Sequence, residues 1–159
     1  MITVNRRAYL AHTTPEAIFA ALSDPDGIVE LLPRMQKVEM RDRDDVNCTA
    51  HLTAYMSMGG IFGTIRCEGT LTWVEPHEIL FKVQSPVSLV THWTLTAAVS
   101  GADLQASMML DLEPMLGPLT AFVPTKQVAD VLSGELHSAL TTISNKMREL
   151  ALRERATAA

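Results

Sequence analysis

Five histidines, two cysteines and nine methionines are the side chains whose types invite a chemical reading. His12 stands between an alternating apolar segment and Thr14-Pro15. There it serves either as a general acid, base or hydrogen-bond donor at a cavity, or as a half-exposed histidine bonded to backbone. His51 and Glu68 come one cross-strand step apart if Gly59-Gly60 turns a hairpin, which also sets Arg66 opposite Thr53. They could form a dyad, but they share the polar parity, where a solvated ion pair is the plainer reading. Cys48 and Cys67 share the opposite parity on adjacent strands. The same register puts Cys67 opposite Leu52 and leaves Cys48 about 13 Å away, beyond disulfide reach. With Met56, Met58 and Met108 the thiols offer soft ligands for Cu(I), yet no spacing singles out a site, and buried thiols are ordinary core residues. His92, Arg66, Asp111, Lys82 and Gln84 fall on the outward parity. No glycine-rich phosphate loop, serine elbow or metal-ligand pattern is present. No catalytic residue, metal or cofactor is therefore assigned.

Composition bounds the classes. The chain has 159 residues, 47% hydrophobic and 19% charged, enough for one domain with a substantial core and too apolar for a disordered segment. Its net charge of -5 argues against nucleic acid, which needs a basic surface. No apolar run approaches the roughly 18 residues of a membrane helix, so stable membrane insertion is not expected. Met1-Ile2-Thr3-Val4-Asn5-Arg6-Arg7 turns charged at once, unlike a signal peptide, which makes the cytoplasm the expected location. The acidic run Glu39 to Asp45, broken by Arg41 and Arg43, reads as a solvated turn.

The elements that must position these residues follow from hydrophobic period. Ile2, Val4, Ala8 and Leu10 alternate as a first strand. Thr14-Pro15 opens a helix carrying Ala17, Ile18, Ala21 and Leu22 on one face. Asp24-Pro25-Asp26-Gly27 stops it, and a second short helix spans Ile28 to Leu32. From Val38 the period becomes two. Val46, Cys48, Ala50, Leu52, Ala54, Met56 and Met58 alternate with polar neighbours, as do Ile65, Cys67, Leu71 and Trp73 after Gly59-Gly60. Ile79, Phe81 and Val83 mark a short strand, with Leu80 apolar on the wrong face. Ser100-Gly101 joins a second hairpin, pairing Val99 with Ala102 and Trp93 with Met108. Val128, Val131, Leu132, Leu136, Ala139, Leu140, Ile143, Met147 and Leu150 then recur at helical spacing. A helix from Thr125 to Arg153 is about 43 Å long, with Gly134 as a weak point.

These elements make an antiparallel sheet of about seven strands, apolar on one face, with one amphipathic helix to cover it. A strongly curved sheet gripping a single helix leaves room for a cavity. The inward parity carries Leu10, Val46, Cys48, Leu52, Met56, Met58, Ile65, Cys67, Leu71, Trp73, Phe81, Val83, Leu89, Thr91, Trp93, Leu95, Met108 and Leu110. Apart from His12 at one end it supplies no acid or base, which suits a neutral apolar ligand. The alternative is a dry, filled core. Met115, Leu116, Leu119, Phe122 and Val123 belong either to that core or to a gate over the cavity entrance, hinged at Gly117, Pro118 and Pro124.

The order of strand, two short helices, six strands and long helix resembles the helix-grip fold of the START, polyketide cyclase/dehydrase and pollen-allergen-like superfamily. Thr14-Pro15-Glu16-Ala17-Ile18-Phe19 followed by Asp24-Pro25 is similar to the superfamily's Pro-Pro-Glu-x-Val-(Trp or Phe) and Asp-Pro. Leu32-Pro33-Arg34-Met35-Gln36-Lys37-Val38-Glu39 is similar to its entry into the second strand. The resemblance implies an α+β helix-grip domain, taken as 1–153, and the residues after it, 154–159, read as a frayed tail.

It also implies a function: binding or carriage of a hydrophobic small molecule or lipid between sheet and helix. The ligand-binding set would be Leu52, Met56, Met58, Ile65, Leu71, Trp73, Phe81, Thr91, Trp93, Met108, Leu110, Met115, Phe122, Leu132 and His12. Two other branches compete. One is a polyketide cyclase-like enzyme that folds a flexible chain with few acids or bases. The other is a maturation or interaction protein like those of carbon monoxide dehydrogenase operons, with a protein partner or a homodimer and an exposed apolar patch around Met115 to Val123.

Overall fold

The computed structural model describes residues 1–59 and 63–158, the side chains of Met58, Gly59 and Ala158 excepted. Strand β1 (Ile2–Ala11) is followed by helices α1 (Pro15–Leu22) and α2 (Pro25–Leu31). Six strands come next: β2 (Met35–Asp44), β3 (Thr49–Gly59), β4 (Gly63–Val74), β5 (Glu78–Ser85), β6 (Ser88–Ala98) and β7 (Gly101–Asp111). A short helix α3 (Glu113–Leu116), a 3-10 helix (Gly117–Phe122) and the long helix α4 (Thr125–Ala158) complete the chain. The strands form one curved antiparallel sheet in the order β1-β7-β6-β5-β4-β3-β2. The architecture is therefore the expected α+β helix-grip arrangement.

Both short helices start on a side-chain cap ahead of a proline. Thr14 Oγ1 accepts from Ala17 N at 3.2 Å, and Asp24 Oδ2 accepts from Gly27 N at 3.1 Å. Each such cap contributes about 1 kcal/mol. Asp24-Pro25 thus starts α2 as well as ending α1, so α2 begins earlier than the expected Ile28. α1 buries Pro15, Ile18, Phe19 and Leu22. Ala17, expected on that face, is exposed.

The alternation assigns most inward side chains to the right face, while both hairpin registers differ by two residues from the expected ones. Cys67 pairs with Ala54 and Leu52 with Gly69. Trp93 pairs with Ala106, and Thr91 with Met108. In the second hairpin the loop is Val99-Ser100, and Ser100 takes the positive φ of 57°. Gly101 serves the sheet instead of the turn: a Cβ there would meet the Leu10 carbonyl oxygen at 2.2 Å. In the first hairpin the expected turn residue Gly60 lies outside the described residues, as does Ile61. A shift of two keeps each residue on its face, so the error leaves the core intact.

Three local expectations change. Glu39 to Asp44 is part of β2 rather than a turn. Val46 is 92% exposed, because Asp44 Oδ1 accepts from Val46 N and Asn47 N and folds 45–48 into the turn before β3. Those bonds, the Asn47 backbone one first, hold the Asp44 carboxyl below the usual carboxylate range. Thr53, on the polar parity, is fully buried, and its Oγ1 has no partner.

The helix α4 has 34 residues, about 51 Å, and continues past the expected end at Arg153. Leu136, Ala139, Leu140, Ile143 and Met147 form its buried stripe. They close over a core that includes Leu10, Ile18, Leu71, Trp73, Ile79, Leu95 and Leu104. The helix packs mainly along β1, with lesser contact to β7 and α2.

Candidate functional site

The sheet and α4 do not meet along their whole length. Toward the N-terminal half of α4 they part and leave a cavity of about 400 Å3. Its floor is Met56 of β3, Phe81 and Val83 of β5, Leu89, Thr91 and Trp93 of β6, and Met108 of β7. Its roof is Glu135, Leu136, Ser138 and Ala139 of α4, and its side is the corner Leu32 to Met35. The volume falls in the range of small-molecule sites. The floor carries no ionisable group.

Charge enters at the rim. Arg34 Nε donates to Glu135 Oε2 at 2.7 Å, and its Nη1 donates to the Ser57 carbonyl at 3.2 Å. Both side chains are partly in water, 46% and 35% exposed. The corner is fixed by main chain: Ser57 N donates to Arg34 O at 2.8 Å and Met35 N to Leu32 O at 3.1 Å.

Beyond Phe81 and Trp93 the space closes. Leu52, Leu71, Ile79 and Ile28 surround only about 20 Å3, far too little for an organic ligand. The cavity and the filled core therefore share the sheet face. Of the expected ligand-binding residues, Met56, Phe81, Thr91, Trp93 and Met108 line the cavity. Leu52, Leu71 and Trp73 lie in the packed core instead, and Leu132 packs against it. Ile65 packs with Cys67 and Val83 in a satellite cluster. Leu110 is half-buried between Ile2 and Leu89. The Met58 side chain lies outside the described residues.

His12 is not at the cavity. It follows the end of β1 that pairs with Gly101, whereas Met108 pairs with Val4 near the other end. His12 is exposed, has a φ of 60°, and its Nδ1 lies 2.9 Å from Arg155. The apolar stretch after β7 is neither core nor cavity wall. No residue from Glu113 to Phe122 is buried, and Met115, Leu119 and Phe122 are 52%, 62% and 84% exposed. The short turn Glu113–Leu116 ends at Gly117, whose positive φ of 54° breaks the helix before its apolar residues reach the core.

The other constellations carry no cluster for chemistry. His51 pairs with Thr70, while Glu68 faces Thr53 and bonds Arg66 at 2.8 Å, so the expected His51–Glu68 pair does not form. Cys48 sits in the turn before β3, and both cysteines are free. Cys67 Sγ approaches Met56 Sδ at 3.8 Å, and burial pushes its thiol pKa up. Among the described residues no group of three His, Cys, Asp or Glu side chains could hold a metal ion. No described helix is long and apolar enough to cross a membrane. A broader hollow of about 510 Å3 lies on the polar face among Arg7, His92, Thr94 and Gln105. Arg7 there pairs with Asp103 at 3.0 Å and His92 Nε2 lies 3.3 Å from Glu78 Oε1, while Arg6 also lines it; this hollow is on the polar outer face of the sheet, so the apolar cavity under α4 is the better site for an apolar ligand.

Alternation could find the floor but not the rim. Arg34 lies in a corner after a short helix, and Glu135 and Ser138 sit on the boundary of the α4 stripe. The one signal was position: Glu135 precedes Leu136 and stands four residues before Ala139, at the edge of the buried face.

No family model matches the chain, and no curated protein sequence matches it. Solved structures do. A START superfamily protein from Mycobacterium smegmatis superposes with a TM-score of 0.76 at 14% identity, over 93% of this chain and 98% of that one. TTHA0849 from Thermus thermophilus gives 0.74 at 12% identity, over 93% and 98%. The di-domain ARO/CYC StfQ from the steffimycin biosynthetic pathway gives 0.73 at 17% identity, over 94% of this chain and 51% of that one. The chain thus spans about half the length of that di-domain protein. Element order, sheet topology, gripped helix and these superpositions agree: the chain has the START/polyketide cyclase-like helix-grip fold.

Proposed function

We propose that this chain binds or carries a hydrophobic small molecule or lipid in the cavity between its sheet and α4, as a cytoplasmic protein. The observation that carries this reading is the roughly 400 Å3 space floored by Met56, Phe81, Thr91, Trp93 and Met108, with no ionisable group among them. A ligand burying about 300 Å2 of apolar surface gains about 7 kcal/mol before the costs of association. Methionines at both edges let the floor adapt to shape. A cyclase-like enzyme would use the same space to fold a flexible polyketide, and turnover of such a substrate would separate it from a carrier. Native mass spectrometry of freshly purified protein, followed by solvent extraction, tests the main reading. A stoichiometric apolar molecule is expected. A protein that arrives empty, and that no lipid or polyketide stabilises against heat, would sink it.

A second reading, action through a protein partner or a homodimer, draws on the exposed Met115, Leu119 and Phe122. For the homodimer form, sedimentation should show self-association that Phe122→Asp removes. A monomer at every concentration would end that form.

A further inference from the structure

The rim of the cavity holds a fixed cation whose present partner is easily exchanged. Arg34 is the one cationic side chain among the cavity's described walls. A guanidinium has five N–H donors in a rigid fork. Two are engaged, Nε with Glu135 and one Nη1 hydrogen with the Ser57 carbonyl, and the other three have no partner among the described residues. Its pair with Glu135 is partly in water on both sides, the kind of pair that contributes little. The Arg34 backbone is tied to Ser57 N and its Nη1 to the Ser57 carbonyl, so a contact other than the ion pair keeps the guanidinium at the rim if Glu135 swings away.

We infer that the cavity's ligand is an amphipathic carboxylic acid, whose apolar body lies on Phe81 and Trp93 and whose carboxylate binds Arg34 at the rim in exchange for Glu135. This rests on the cavity reading above and names the ligand's class. A carboxylate matches the guanidinium fork and supplies the same charge as Glu135. A cationic head would have to win Glu135 from Arg34 and leave Arg34 unpaired. A neutral head leaves the ion pair as it stands and gains nothing from it. Ser138 and Thr91 place hydroxyls on the wall but no charge.

The test compares decanoate with decan-1-ol, added at pH 7.5 to the whole chain and read by displacement of a neutral fluorophore. Ionisation alone makes decanoate the poorer ligand of an apolar cavity. With the anchor in place decanoate binds about tenfold tighter than decan-1-ol. Arg34→Gln removes that preference, weakening decanoate about tenfold more than it weakens decan-1-ol. Glu135→Gln, which takes away the competing carboxylate, tightens decanoate severalfold. Decan-1-ol binding as tightly as decanoate to the unaltered chain would overturn the anchor while leaving the cavity reading standing. An Arg34→Gln variant that keeps the acid preference would do the same. Binding of neither molecule would overturn the cavity reading and the anchor with it.

Discussion

Replacing Thr91 by Phe decides whether the space above β6 is open. Thr91 faces Phe81 on one side and Met108 on the other, and all three line the cavity. A phenyl ring buries on the order of 150 Å2 when fully enclosed. Here the space opens at the rim, so about half of that is gained, about 2 kcal/mol at 25 cal/mol per Å2. Fixing the new side chain returns about 1 kcal/mol of that. The variant is therefore about 1 kcal/mol more stable, a Tm rise of about 2–4 °C for a chain of this size. It also loses affinity for a neutral apolar fluorophore, because the ring occupies the ligand's place. In a filled core the same ring would cost about 1–3 kcal/mol through forced rotamers and shifted backbone. Circular dichroism melts and fluorophore titration on the two proteins give both quantities. A lower Tm, or unchanged fluorophore affinity at a raised Tm, would refute the reasoning.

Three further outcomes are expected. Gly134→Ala raises stability by about 0.5–1 kcal/mol, because Gly134 lies inside α4 and an added Cβ there meets nothing within 4 Å; a denaturant midpoint that does not rise would contradict it. Gly69→Ala costs at least about 2 kcal/mol, since its Cβ would lie 2.1 Å from the Lys82 carbonyl oxygen beside the irregularity between β4 and β5; a melt within 2 °C of the parent, by the roughly 2–4 °C per kcal/mol scale, would contradict that. Buried Cys67 holds its proton more tightly folded than unfolded. Its contribution is complete below the ordinary thiol pKa and is lost as pH rises through the higher folded value, so alkaline destabilisation is shallower in Cys67→Ala, as urea melts across pH would show.

Alternation made the floor of the site legible and left its rim dark. Met56, Phe81, Thr91, Trp93 and Met108 sit at even steps on strands whose other face is polar, and period two survives a register error of two. Leu52, Leu71 and Trp73 have the same parity, but whether helix or empty space lies above them depends on where α1 and α2 dock, which no strand pattern encodes. His12 stands beside a helix start that holds as expected, but the cavity lies toward the other end of β1. Glu39 to Asp45 reads as a turn because it is charged at all but one position, yet through Asp44 it is the edge strand β2, whose outer side tolerates such charge. Val46 reads as inward from the alternation but is exposed, because the Asp44 side chain, and not hydrophobicity, sets the phase there.

The sheet order has a consequence for synthesis. β1 is made first and pairs only with β7, Ile2 with Leu110 and Ala11 with Gly101. At about 5–20 residues per second, β1 waits roughly 5–20 s for its partner to leave the ribosome. Through that interval a strand carrying Ile2, Val4 and Leu10 is an open edge, and α4, which packs along it, does not yet exist. The chain is most exposed to aggregation while it is still being made, and a slower ribosome lengthens that interval in proportion.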